Sequence, residues 1–347
     1  MNKIIITIVV LLLFSCSKDS ENDATQYQDI PIVFTVPQNF PELSYDLERN
    51  PITQKGFELG RKLFYDGRLS SDGTVSCGFC HEQRHAFTHH GHTVSQGVGG
   101  QSGTRNSPAI QNMAFQNTFM YDGATDHLDL QPIIPLTSPI EMNGSLSQIV
   151  AMIKADPDYQ RLFATAFPGK PINTENMLKA MSQFLVMVTS SNSKFDKFRR
   201  NEIGGIFTSE EQQGYAIFNQ KCASCHATDL FTDHSFRNNG LPVNPLVNDE
   251  GRYRVTLDQG DKYKFKVPSL RNIEKTAPYM HDGRFFTLEA VLNHYNSGVI
   301  NTVTLDPSLN NNGALGIPLS QTEKNKIIAF LKTLTDTQYL TDSRFSE

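Results

Sequence analysis

Apolar positions along the chain fall mostly at helical spacing, and three segments show this with usable ends. Thr53 to Phe64 reads as one helix. Ser209 to Cys222 reads as a second. It is rich in helix formers, carries apolar Tyr215, Ile217 and Phe218, and offers Thr208 or Ser209 as N-cap. A third opens at Ser320 or Thr322 and sets Ile327, Ile328, Phe330, Leu331 and Leu334 on a face suited to packing against the rest of a domain. Few segments alternate as strands do. The expected fold class is mainly α, with long loops between the helices.

The N-terminus follows another pattern. Lys3 precedes an apolar run from Ile4 to Phe14, the charged and hydrophobic parts of an export signal, too short to span a bilayer. The run ends in Leu13-Phe14-Ser15-Cys16, which resembles the lipobox of bacterial lipoproteins. Residues 1–15 are therefore expected to be a signal peptide and Cys16 the lipidated first residue, the alternative being a plain secretory signal with an incidental cysteine. Polar Ser17 to Gln28 reads as a flexible tether, and the tether is drawn from 16 to 40. Beyond the N-terminus no apolar stretch is long enough to cross a membrane, so the expected membrane contact is the lipid anchor alone. At 347 residues the chain has room for two domains, and its net charge of −5 argues against a general nucleic-acid role.

Five cysteines are present, and setting Cys16 aside leaves Cys77, Cys80, Cys222 and Cys225. They lie in Cys77-Gly-Phe-Cys-His81 and Cys222-Ala-Ser-Cys-His226. C-x-x-C-H is the signature of covalent haem c attachment: the two thiols add to the vinyl groups of one macrocycle, and the adjoining histidine reaches the iron. A zinc site and a thioredoxin-like pair are the competing readings. Two matches in an exported chain with no other cysteines favour two haems, because bacteria attach haem c outside the cytoplasm.

The chain also repeats itself. Gly60-Arg-Lys-Leu-Phe64 and Gly214-Tyr-Ala-Ile-Phe218 each precede an attachment site. Pro108-Ala-Ile-Gln-Asn112 is echoed 160 residues on by Pro268-Ser-Leu-Arg-Asn272. At the same offset Tyr121-Asp-Gly123 is matched by His281-Asp-Gly283, and Leu128-Asp129 by Leu288-Glu289. Two cytochrome-c-like haem domains related by internal duplication are expected. Tyr295 in the second half corresponds to Pro135 in the first. A tyrosinate can ligate ferric iron and a proline cannot, so the halves are expected to differ in iron chemistry, although Tyr295 also reads as a buried aromatic with a satisfied hydroxyl.

LFYDGRLSSDGTVSCGFCH, GTRNSPAIQN, SPIEM and KVPSLRNIEKTAPYMHDGRFFTLEAV resemble the signatures of the bacterial di-haem cytochrome c peroxidases and their MauG relatives, over about Pro51 to Leu334. The resemblance implies a peroxidatic haem domain at 41–200, with His81 as proximal ligand, and an electron-transfer haem domain at 201–347, with His226. It implies Glu141 as distal acid–base group, Gln131 as distal glutamine, and Asn106, Thr276 and Pro278 as ligands of a calcium ion between the domains. Main-chain carbonyls among those ligands suit a hard cation. Tyr295 falls where the peroxidases have methionine and MauG has tyrosine, with His294 and Met280 as competing ligands. Tyr121 stands where the family usually has a tryptophan between the haems, and the chain has no tryptophan. Where many of these peroxidases carry a distal histidine on the peroxidatic haem, the register places Val98, with His89, His90 and His92 nearby.

The resemblance implies reduction of hydrogen peroxide to water in the periplasm or cell envelope, with electrons from a small c-type cytochrome or similar donor. It allows a homodimer. Tyr295 and Val98 also suit a MauG-like enzyme that turns peroxide on a partner protein or organic substrate. A non-enzymatic di-haem electron carrier is the third reading, opposed by Gln131 and Glu141. Of the weaker features, His89, His90 and His92 suit a metal or a solvated loop. The basic residues Lys197, Arg199 and Arg200 suit an acidic partner or a solvated helix end.

Overall fold

The computed structural model describes residues 29–347. The signal peptide, Cys16 and the tether up to Gln28 lie outside them. The first half holds α1 (Gln54–Tyr65), α2 (Cys77–Cys80), α3 (Ile133–Thr137), α4 (Leu146–Ala155), α5 (Pro157–Ala166), α6 (Thr174–Met187) and α7 (Lys194–Arg199). The second holds α8 (Ser209–Lys221), α9 (Tyr253–Thr256), α10 (Leu288–Asn293), α11 (Gln321–Lys332) and α12 (Thr337–Thr341). Strand is confined, among the described residues, to two antiparallel pairs of two residues each, Phe236–Arg237 with Phe265–Lys266 and Asn310–Asn311 with Ala314–Leu315. The protein is mainly helical, as expected.

The three helices expected from the sequence start at their caps. Thr53 accepts the Gly56 N–H at the head of α1. Thr208 with Glu211 and Ser320 with Glu323 form reciprocal capping boxes on α8 and α11. Each half is built on one tight helix pair, α1 against α6 and α8 against α11. A Cβ on Gly60 would stand 2.0 Å from the Ala180 carbonyl oxygen, and one on Gly214 2.0 Å from that of Lys326. Only glycine permits these approaches. Four residues on, Phe64 and Phe218 are buried in the adjoining cores.

The repeated Pro-x-x-x-Asn segments do equivalent work. Asn112 and Asn272 both sit in the left-handed region at φ 56°, which asparagine tolerates. Asn112 donates its N–H to Val188 O and accepts from Ser190 N–H; Asn272 donates to Leu334 O and accepts from Asp336 N–H. Each therefore clamps the chain just beyond α6 or α11. Links between the halves are reciprocal as well: Asn106 N–H reaches His281 O at 2.7 Å, and Lys266 N–H reaches Tyr121 O at 2.7 Å.

The described part of the expected tether, 29–40, is packed rather than free. Ile32, Phe34 and Phe40 lie against the first-half core. Asn39 donates to Asp196 and Asp229, and the Arg271 guanidinium lies 4.4 Å from the Phe40 ring centroid. The C-terminal Tyr339 and Phe345 also enter the first-half core, beside Phe57, Phe87 and Phe184.

Candidate functional site

Each C-x-x-C-H motif closes a short turn with its histidine aimed by a distant carbonyl. Ser76 caps α2, and His81 N–H returns to Cys77 O at 2.9 Å. His226 N–H does the same to Cys222 O at 3.0 Å. His81 Nδ1 lies 2.6 Å from Phe87 O, and His226 Nδ1 lies 3.0 Å from Phe231 O. A carbonyl only accepts, so Nδ1 carries the hydrogen and Nε2 is left as the ligating nitrogen. Phe87 and Phe231 turn their carbonyls inward from left-handed backbones, φ 57° and 56°. The next residue fixes each turn: Thr88 Oγ1 donates to Ser107 O, and Thr232 Oγ1 donates to Val267 O at 2.6 Å. Ser107 and Val267 immediately precede the two repeated prolines.

The cysteines fit thioether attachment better than the competing chemistries. Burial pushes the Cys77 thiol up to about 12, Cys80 to about 11 and Cys222 to about 12. A redox pair needs the opposite shift. Among the described residues no third histidine, cysteine or carboxylate ligand atom closes a metal cluster with either cysteine pair, which removes the zinc reading. A macrocycle held by the thiols and by Nε2 of His81 or His226 fits both places.

Around the first attachment site, Glu141 follows α3 in a turn closed by its own N–H to Ser138 O at 3.1 Å. Burial raises its carboxyl above the ordinary range, against the lowering influence of the Ser138 hydroxyl and Arg105. Its negative charge raises both the Cys77 and Cys80 thiols, so the carboxyl lies near the attachment site. The Val98 N–H donates to Glu141 O at 2.8 Å, and a Cβ on Gly97 would lie 2.3 Å from Ile140 O. The Gln96–Gly100 loop thus braces the backbone of Glu141. Gln131 is half-buried, with Nε2 3.6 Å from Met120 Sδ. Of the neighbouring histidines, His90 meets Glu82 and His92 meets Val94 O, while His89 bonds the Ser107 hydroxyl through Nδ1 and has a buried Nε2 without a hydrogen-bond partner.

Around the second attachment site, Tyr295 lies in a wide helical turn, His294–Gly298, that continues α10. Burial raises its phenol; Asn239 opposes that shift by hydrogen bonding, and Cys225 and Cys222 add to it. The phenol therefore lies near both thiols of this attachment site. Asn239 meets all three competing ligands. It hydrogen-bonds the Tyr295 phenol, its amide reaches Met280 Sδ at 3.5 Å, and its carbonyl takes His294 Nε2 at 3.1 Å. That last bond holds the His294 ring through one nitrogen, so all three side chains are grouped around Asn239.

Between the sites stands Arg105, which sequence reasoning passed over. It donates to Asp122 at 2.6 Å and to Asp249 at 2.6 and 2.9 Å, and lies 5.8 Å from the Phe265 ring centroid. Phe265 stacks on His281 at 3.8 Å. Tyr121 is held beside this network. Burial pushes its phenol up, Arg105 pulls it down and Asp282 adds to the rise. Lys266, pushed down to about 7 by burial, donates to Gln116 Oε1 and Thr118 O. Asn106 reaches across the halves to Pro278 O at 2.6 Å and Met280 O at 3.3 Å, while its own Oδ1 is buried with no partner. Thr276 lies two residues before Pro278, with its hydroxyl 3.4 Å from Ile273 O. Nothing in the sequence marked Asn239 or Gly97, whose partners are distant in the chain.

A family profile described as di-haem cytochrome c peroxidase matches residues 54–203. The methylamine utilization protein MauG of Methylorubrum extorquens is 35% identical over 320 residues, 90% of this chain and 86% of its own. A cytochrome c551 peroxidase of Nitrosomonas europaea is 31% identical over 81% of this chain and 80% of its own. Among solved structures, a MauG-like protein associated with microbial copper homeostasis has a TM-score of 0.81 at 35% identity, covering 91% of this chain and 99% of its own. The paired attachment turns and these matches, which run across both halves, lead to one conclusion: the chain belongs to the di-haem cytochrome c peroxidase and MauG family.

Proposed function

We propose that this protein reduces hydrogen peroxide to water at the first attachment site, with two electrons from a small c-type cytochrome or similar redox protein. The observation that carries this is the buried carboxyl of Glu141 near Cys77 and Cys80, its pKa raised by burial, and the family register, which puts Val98 in place of a blocking histidine, supports it. Two covalent haems supply the redox chemistry, held by Cys77, Cys80 and His81 and by Cys222, Cys225 and His226. Glu141 takes the proton from the near oxygen of the peroxide and returns it to the far oxygen, which leaves as water. Gln131 orients the oxidant, exchanging its weak bond to the Met120 sulfur for one to oxygen. Two protons and two electrons complete the second water. Tyr121, between the halves, is the relay for those electrons.

Glu141→Gln tests this directly. Removing the proton carrier is expected to lower peroxide turnover by about 10²–10⁴-fold with both haems still attached. Turnover within a few-fold of the parent would overturn the assignment.

A second use of the same oxidising power is favoured by Tyr295. A phenolate on the second haem stabilises the ferric state and makes that haem a poor acceptor from a high-potential cytochrome. The oxidising equivalents would then go to a partner protein or organic substrate, as in a MauG-like enzyme. Slow oxidation of reduced cytochrome c by peroxide distinguishes this from the peroxidase reading.

The remaining assignments complete the proposal. Asn106, Thr276 and Pro278 hold a calcium ion between domains 41–200 and 201–347. The Asn106 amide beside the Pro278 and Met280 carbonyls of the other half supports this, because a flip of that amide would add its oxygen to theirs as ligands of a hard cation. The protein works in the periplasm or cell envelope, anchored through a lipid on Cys16, and the family's habit of pairing makes a homodimer part of the proposal.

A further inference from the structure

Directly after the first attachment motif in the chain, Glu82, His85 and His90 bring a carboxylate oxygen and two imidazole nitrogens within 4.8 Å of one another. We propose that this trio is a mononuclear binding site for a late first-row divalent cation, with copper(II) bound most tightly.

The loop that builds it is closed by its own backbone hydrogen bonds. Glu82 N–H donates to Thr88 O at 3.0 Å, and the N–H groups of His85 and Phe87 both return to Glu82 O at 2.9 Å. Left-handed Ala86 and Phe87 reverse the chain between them. His90 is thereby carried back over the start of the loop. Its Nδ1 lies 2.9 Å from the Glu82 carboxylate, and its ring stacks on His85 at 4.2 Å. From the other half the Lys275 backbone carbonyl approaches the His85 ring. A ring nitrogen that donates to it leaves the other with its lone pair free, the outer-shell arrangement common to metal-binding histidines.

The donor set decides the cation. Two imidazoles and one carboxylate suit copper, zinc and nickel, and the Irving–Williams order places copper(II) first. Calcium and magnesium want oxygen ligands throughout and gain little here. His90 and Glu82 keep 54% and 31% of their side-chain surface exposed, so a hydrated cation can reach the trio and retain water in its open positions. Arg84 places positive charge beside His85, so binding relies on the donor atoms rather than on a field of negative charge. The grouping differs from the one suggested by sequence proximity: His89 and His92 point to Ser107 and Val94, and only His90 joins the cluster.

The test is equilibrium dialysis of the untagged, haem-loaded protein against buffered copper(II), followed by EPR of the frozen samples. One copper per chain is expected, with hyperfine splitting from two nitrogens. His90→Ala, an exposed change that should leave the haem spectra and melting temperature unaltered, is expected to weaken binding by at least about tenfold and remove one nitrogen from the pattern. His92→Ala should change neither. Zinc(II) is expected to compete for the site only in large excess over copper(II), and magnesium(II) at the same excess is not expected to compete at all. Failure to bind one equivalent, or the same affinity and splitting in His90→Ala and His85→Ala as in the parent, would overturn the proposal. Neither result bears on peroxide turnover, which is measured separately.

Discussion

Asn239 holds the second site in order by meeting the Tyr295 phenol, the Met280 sulfur and the His294 ring with one residue. Were a sixth ligand drawn from this group, Tyr295 would offer a hard phenolate oxygen and Met280 a soft thioether. Tyr295→Phe removes the oxygen while keeping the ring. The expected result is a changed low-spin EPR signal from the second haem and a reduction potential shifted upward, because the phenolate no longer favours the ferric iron. Identical signals and potential in the variant would return Tyr295 to the role of a buried aromatic. At the first site the pH dependence has a definite sign. Burial raises the Glu141 carboxyl, and the carboxylate is the form that accepts the proton from peroxide. Turnover should therefore fall as pH drops through a value above the ordinary carboxylate range, and Glu141→Gln should abolish that acid limb. Had the limb persisted in the variant, another group would be the base. At this scale the attachment residues were legible because C-x-x-C-H is a chemical requirement written in five consecutive positions. Arg105, Gly97 and Asn239 were not, because each acts on partners that only the folded chain brings near.

The helices that carry these residues depend on two close approaches. Gly60 on α1 and Gly214 on α8 each let a partner helix come so near that a methyl group would meet a backbone carbonyl at 2.0 Å. Backbone cannot turn aside as a side chain can, so the helices must part. Gly60→Ala and Gly214→Ala are each expected to destabilise the haem-loaded protein by at least about 1–3 kcal/mol, outweighing alanine's better helix propensity. Thermal melting followed in the haem absorption band would measure it. Stability equal to the parent would show that the pairs slide apart at no cost. The ends of α1, α8 and α11 were readable from Thr53, Thr208 and Ser320, since capping is local chemistry. Their partner α6 is harder to read, with Asn176, Ser182 and Gln183 buried among its apolar residues. Such burial on several faces erases the polar stripe that marks a surface helix.

Across the whole molecule, the halves are joined by interactions that the sequence presents only as echoes. Gln111 donates to the carbonyl of Arg271, its own counterpart 160 residues on, and accepts from the neighbouring Asn272. The repeat was visible as similar letters, but its role as a clamp on the chain beyond α6 and α11 depends on long-range contact. The same holds for residues 39 and 40, whose docking requires Asp196 and Arg271 to be in place. Asp196 and Arg271 form a salt bridge with both side chains fully buried, the shortest contact being 2.5 Å. Burial pushes the Asp196 carboxyl up, yet Arg271, Asn39 and Ser193 more than offset it and hold the group below the ordinary carboxylate range. A carboxyl depressed in the folded state stabilises above its unfolded pKa, and the gain is lost as pH falls toward the lower folded value. Arg271→Met leaves a buried carboxylate with only the Asn39 and Ser193 bonds, at an expected cost of about 3–5 kcal/mol near neutral pH. Without the guanidinium, burial acts against weaker opposition and Asp196 should take up a proton at higher pH than in the parent. The variant then recovers stability as pH falls from about 7 toward 4, while the parent, still ionised there, does not. Melting curves of both proteins across that range should converge toward the acid end. A gap that stayed constant with pH would mean that Arg271 holds the halves by packing on Phe40 rather than by neutralising Asp196.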